Sequence, residues 1–237
     1  MRFSTALSVS GLLGLAVALP QQPSDGRPYY PPVLKSRGFT LVVNVIDRAN
    51  DFYPPIHGFY LSGIHAGAGT AVAGITSANG RIFYQNGTET EADTYRSNIL
   101  SDSGLPAFPS GIVIEPVQES DTLSHVYLNA GAGTRGVFLS DFPQTYVSLQ
   151  PESFVACNEV VPYYGDRQFV VIKQANYSIY EQDVDYNIPP GCIRIRLVPQ
   201  CTMLGDLAPG SHSSHEFAFE ANCYDDVSQI RWAKEDM

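Results

Sequence analysis

From Gly38 onward the hydrophobic positions fall in short runs broken by Gly, Pro, Asn and Asp. That punctuation reads as strand and turn. The clearest run, Phe39-Thr40-Leu41-Val42-Val43-Asn44-Val45-Ile46, is β-branched and apolar enough to predict a buried strand, ended by Asp47-Arg48-Ala49-Asn50-Asp51. His57–Ile64, Thr70–Ile75 and Arg81–Gln85 predict the next strands. Residues 86–108 predict an exposed excursion, with an acidic GTETEAD stretch and prolines at 106 and 109 near its end. Further strands are expected at Gly111–Glu115, His125–Asn129, Gly136–Leu139, Tyr146–Leu149, Ser153–Cys157, Gln168–Lys173, Cys192–Val198 and Glu216–Phe219. About a dozen short strands with turn signals between them predict an all-β fold, a single-domain antiparallel β-sandwich or barrel. At most one short C-terminal helix is expected, within Tyr224–Lys234.

The chain ahead of Gly38 follows different patterns. Met1-Arg2 and the apolar stretch closing at Leu12-Leu13-Gly14-Leu15-Ala16-Val17-Ala18 predict a secretory signal peptide over residues 1–18, cleaved after the small residues Ala16 and Ala18 so that the mature chain starts at Leu19, with Pro20 just beyond. Ser8, Ser10, Gly11 and Gly14 interrupt the run, which falls short of the ~20 apolar residues a spanning helix needs. No membrane span is therefore expected. Residues 19–37, LPQQPSDGRPYYPPVLKSR, predict a Pro-rich N-terminal arm, and residues 38–237 a single β-rich domain.

Export changes how the four cysteines read. Cys157, Cys192, Cys201 and Cys223 form no CxxC pair, and an oxidising compartment favours two disulfides over zinc. Of three connectivities, Cys201 with Cys223 and Cys157 with Cys192 is preferred because the first staples the loop-rich 202–222 stretch. The rival Cys192–Cys201 pair would close a hairpin and is nearly as good. Export also makes acceptor sequons of Asn86-Gly87-Thr88 and Asn176-Tyr177-Ser178, which predicts glycosylated surface positions at Asn86 and Asn176. Asn86-Gly87 has in addition the chemistry of a tight hairpin turn.

Composition and motifs exclude more than they assign. Lys+Arg 14 against Asp+Glu 24 gives a net charge of −10, so no nucleic-acid partner is expected. Gly131-Ala132-Gly133-Thr134-Arg135-Gly136 is formally GxGxxG, but a strand follows where a helix N-terminus is required, so no cofactor is expected. Ala66-Gly67-Ala68-Gly69-Thr70 recurs as Ala130-Gly131-Ala132-Gly133-Thr134; the unmatched flanks favour one turn solution used twice over a duplication. Glu181, Asp183 and Asp185 alternate, yet Ile188 and Arg194 occupy the Gly and Glu positions of a calcium loop. His212 and His215 stand in a bare HxxH, and no metal is assigned. No GxSxG elbow is present, so no catalytic residues are named.

Phe39-Thr40-Leu41-Val42-Val43-Asn44-Val45, His57-Gly58-Phe59-Tyr60-Leu61, His65-Ala66-Gly67-Ala68-Gly69, Phe83-Tyr84-Gln85-Asn86-Gly87-Thr88 and Phe108-Pro109-Ser110-Gly111, with Cys192–Pro199, Cys201 and Cys223-Tyr224, resemble an uncharacterised family of small secreted proteins of filamentous ascomycete fungi. The resemblance implies a secreted, extracellular or cell-wall protein and carries no activity across. The expected function is a non-enzymatic glycan-binding or surface-interaction module, with cell-wall glycan or an extracellular protein as partner. Five tyrosines, Tyr163, Tyr164, Tyr177, Tyr180 and Tyr186, cluster around one strand. Tyr offers a sugar an apolar face and a hydroxyl, although aromatic residues favour strands in any case. A sugar on Asn176 would cover Tyr177, so glycan contact is placed at Tyr163 and Tyr164. The alternative is a secreted hydrolase acting on wall polysaccharide, with acids such as Asp47, Asp102 or Asp141.

Overall fold

Leu41, Val43 and Val45 alternate with Val42 and Asn44 along the first long strand, and all five are buried. A strand covered on both faces needs packing on each side of its sheet. The computed structural model describes residues 27–141, 143–180 and 183–233; the expected leader lies outside them. Among the described residues the strands are β1 (Leu34–Ser36), β2 (Gly38–Val45), β3 (Tyr60–Gly67), β4 (Thr70–Thr76), β5 (Tyr84–Asn86), β6 (Asn98–Ser103), β7 (Phe108–Pro116), β8 (Leu123–Ala130) and β9 (Phe138–Leu139). There follow β10 (Leu149–Gln150), β11 (Phe154–Val160), β12 (Gln168–Ala175), β13 (Ser178–Tyr180), β14 (Asp183–Asp185), β15 (Cys192–Thr202), β16 (Ala218–Phe219) and β17 (Ala221–Cys223).

The main sheet runs β11-β15-β2-β3-β4-β12-β8-β7-β6-β5-β16, with antiparallel neighbours throughout. β11 pairs with β12 as well as β15, so six strands close a barrel-like circuit. The other limb returns to β2 through a bridge between Phe39 and Phe83. Between the two limbs of this sandwich-like fold lies the main core, with Phe39, Leu41, Ile99, Ile112, Phe154 and Leu197. Each such side chain contributes about 1.5–3 kcal/mol on burial. A second apolar cluster, Val155, Cys157, Val161, Val171 and Ala175, packs on the other face of β11 and β12.

Two disulfides tie the sheet together. Cys157–Cys192 joins directly opposed residues of β11 and β15, and Cys201–Cys223 joins β15 to β17. The arm is tied down where it is described: β1 pairs with β17, Tyr29 bridges to Arg231, and the Tyr30 ring packs on Tyr146 and Trp232.

The excursion at 86–108 differs from its reading. It holds β6, whose Ile99 and Leu100 are buried, and the short helix α1 (Glu89–Asp93). Thr88 and Glu91 form a capping box around the first turn of α1, so the acidic stretch is a helix start rather than a loop. Asn86-Gly87 accordingly makes no hairpin but leads from β5 into that cap. Among the described residues of Tyr224–Lys234, only a 3-10 turn, Val227–Gln229, is formed. The first AGAGT copy turns β3 into β4, and the second follows β8. The two meet where Ala130 N donates to Gly69 O at 2.7 Å. Gly133 has φ +73° and lies against Gly111, where a Cβ would come within 2.4 Å of the Gly133 nitrogen. The glycines serve a close backbone approach, and a strand, β9, follows them.

Candidate functional site

The turn between β11 and β12 carries Tyr163 and Tyr164. Pro162 sets φ at the start of a 3-10 turn, Pro162–Tyr164, and Gly165 closes it at φ +65°. Val161 anchors the turn from below in the second apolar cluster. Both tyrosines therefore project outward, Tyr163 at 58% and Tyr164 at 38% exposure. Their rings meet edge-on with centroids 5.1 Å apart. His65 of β3 stands edge-on to Tyr163 at 5.0 Å, and Phe169 of β12 lies 5.0 Å from Tyr164. The Arg167 guanidinium covers Phe169 at 4.9 Å. Three segments thus present one continuous row of rings with a cation at its end. Such a row offers apolar faces with hydroxyl and imidazole edges, the surface chemistry that suits a half-wet polar ligand.

The remaining tyrosines of the cluster divide from this row. Tyr177 and Tyr186 face each other at 6.4 Å beside β13 and β14 and line a different cavity. Asn176 is exposed next to them. Asn86 is half-buried in β5, paired on both sides, and its Nδ2 donates to Asn98 Oδ1 at 3.1 Å.

The acids named for hydrolysis line three separate depressions. Asp47 accepts from Ala49 N and Asn50 Nδ2 in a 3-10 cap, and Asp141 accepts from Asn222 Nδ2. Asp102 instead meets His215 Nε2 at 2.8 Å across 113 residues of chain, with the Tyr84 ring edge-on to the imidazole at 4.8 Å. Arg81 lies close by: burial lowers its pKa, and Asp102 acts against that shift. This pair latches the segment before β16 to β6. His212 is held through its backbone N–H to Ala107 O, Glu181 lies outside the described residues, and Asp185 Oδ1 accepts from Asn187 N. Among the described residues no three His, Cys, Asp or Glu side chains gather around a point where a metal could sit.

His57 is another departure from its sequence neighbourhood. Its Nδ1 accepts from Val45 N at 3.2 Å, and burial, with the Arg48 cation adding to it, pushes its pKa down to about 4, while Asp51 opposes. Sequence reasoning missed the His65 and Phe169 flanks of the aromatic row and the Asp102–His215 latch. Only strand pairing brings those residues together.

Fold and surface together define a disulfide-stapled, all-β protein with a row of aromatic rings on its surface. The chain belongs to the family described as domain of unknown function DUF7907, whose sequence profile matches residues 36–201. That span contains the whole aromatic row and stops short of His215 and Cys223. The chain is 47% identical over 208 residues to antigenic protein SchS34 of Stachybotrys chartarum, covering 87% of this chain and 94% of that relative. No solved structure matches it. No helix among the described residues is long and apolar enough to cross a membrane.

Proposed function

We propose that this is a secreted, non-catalytic module that contacts carbohydrate on an extracellular or cell-wall surface through the row His65–Tyr163–Tyr164–Phe169. The carrying observation is the exposure of His65, Tyr163 and Tyr164, with Phe169 half-buried at the end of the row. The two tyrosines are held outward by a Pro-initiated turn, and ring faces of this kind are hydrophobic area that a folded monomer would otherwise bury. Edge contacts among the rings hold them in place at low entropic cost to a ligand. Export is supported by the predicted leader, by two formed disulfides and by the 47% identical relative, whose description as antigenic suits a protein met outside the cell. Glycosylation at Asn176 would leave the row uncovered, because Tyr177 and Tyr186 form a separate group.

The test is retention on insoluble chitin and β-glucan. Wild type is expected to bind at least one of them, and Tyr163→Ala/Tyr164→Ala to be washed off. Equal retention of both proteins, or of neither, removes the reading.

A further inference from the structure

The side of β15 that faces Tyr146 and Trp232 carries two arginines at alternate positions, Arg194 and Arg196, and strand alternation sends both to one face. Neither guanidinium has a carboxylate partner among the described residues. In a chain of net charge −10 these are a local exception. The Arg194 guanidinium lies over the Tyr186 ring, 3.5 Å from its centroid. Arg196 donates through Nε to Tyr146 Oη at 3.0 Å and packs against the Trp232 ring, so its guanidinium is held in one orientation.

One Arg196 nitrogen, Nη1, is buried with no hydrogen-bond partner, and so is Oδ1 of Asn44, its direct cross-strand partner on β2. That is the pattern of a site whose ligand or water completes it. Arg194 and Arg196 line a cavity of about 300 Å³ together with Tyr177, Tyr186, Ser148 and Glu152, whereas Asn44 lines a separate depression with His57 and Trp232. Glu152 Oε1 accepts from Ser148 Oγ and Gln150 Nε2, so the acid is already committed to hydroxyl and amide donors.

We propose that this cavity is a binding site for a carboxylate-bearing sugar, a uronate. The arginines take the carboxylate, the planar fork of Arg196 giving direction to the pair. Tyr177 offers a ring face to the pyranose, while one face of Tyr186 is already covered by Arg194 and the Ser148 hydroxyl and Glu152 carboxylate already bond each other and Gln150. A bare inorganic anion would use the arginines and leave the tyrosines idle. A neutral sugar would leave two charges unanswered. The site is separate from the His65–Tyr163–Tyr164–Phe169 row and stands or falls independently of it.

The experiment is calorimetric titration of the full oxidised protein, at about 0.15 M salt, with oligogalacturonate, with a neutral galactose oligomer of the same length and with inorganic phosphate. Oligogalacturonate is expected to bind and the other two to bind at least about tenfold more weakly. Arg194→Gln, at the rim, should weaken oligogalacturonate binding about tenfold or more, while Tyr163→Ala/Tyr164→Ala leaves it unchanged. Arg196→Met removes the buried donor; Arg196→Lys keeps a charge but loses the fork, and covers the case in which the Met variant fails to fold. No heat with oligogalacturonate, equal binding of the neutral oligomer, equal binding of phosphate, or an unchanged affinity in Arg194→Gln would each overturn the assignment.

Discussion

At the scale of single residues, burial fixes protonation and reactivity more than sequence neighbours do. His57 has a folded-state pKa of about 4 against an ordinary 6.5, so folding selects its neutral form, which accepts from Val45 N. The sign follows: the stability this group contributes is complete above about pH 6.5 and is lost as pH falls toward 4. Thermal unfolding between pH 7 and pH 4 should therefore show a loss that His57→Gln reduces. Imidazole resonances of His57 titrating with a midpoint near 6.5 would contradict the buried environment. Asn86 and Asn176 differ in the same way. The Asn86 amide is already a donor to Asn98 inside a doubly paired strand, whereas Asn176 is exposed. Secreted protein from a eukaryotic host should lose one N-glycan on enzymatic deglycosylation, and Asn176→Gln should abolish that mass change. Two glycans on the wild type would mean that Asn86 is modified before its strand is paired.

At the scale of elements, the sequence is legible where one chemistry decides burial. β2 reads directly because Leu41, Val43 and Val45 are apolar and β-branched or aliphatic throughout. β6 does not, because its burial depends on polar residues satisfied at long range. Asn98 Nδ2 donates to Ala132 O and Ser101 Oγ to Ser110 O, partners that periodicity cannot show. The candidate site divides similarly. Tyr163 and Tyr164 stand out as a pair in the sequence, but His65 is 98 residues from Tyr163 and joins it only through the curvature of β3 over the β11–β12 turn. The Gly-rich segment, formally a dinucleotide motif, is a packing device, and that has a measurable cost. In Gly111→Ala the new Cβ meets the Gly133 backbone, which has nowhere to move, so urea unfolding should show a loss of about 2 kcal/mol. Gly205→Ala has open space around it and should change little. Equal effects from the two would mean that the 111–133 approach is looser than described.

For the whole molecule, the barrel-like circuit, with one disulfide inside it and a second tying it to β17, carries both the aromatic row and the arginine cavity. Cys201–Cys223 closes a separation of 22 residues through a stretch with few strands. The unfolded chain loses freedom accordingly, and Cys201→Ser/Cys223→Ser should lower stability by about 3 kcal/mol in denaturant. An unchanged midpoint would show that β15–β17 pairing suffices alone. Intact mass of secreted protein should rise by about 4 Da on full reduction of two disulfides.

We propose that the aromatic row is a carbohydrate-contacting face. Its most direct test is amide and aromatic NMR mapping of the oxidised protein during titration with soluble chito-oligosaccharide and β-glucan fragments. Shifts are expected to be confined to His65, Tyr163, Tyr164, Arg167 and Phe169, to saturate with one of the two sugars and to be absent in Tyr163→Ala/Tyr164→Ala. No shifts with either sugar, or shifts gathered at Asp102 and His215 with the row unmoved, would contradict it.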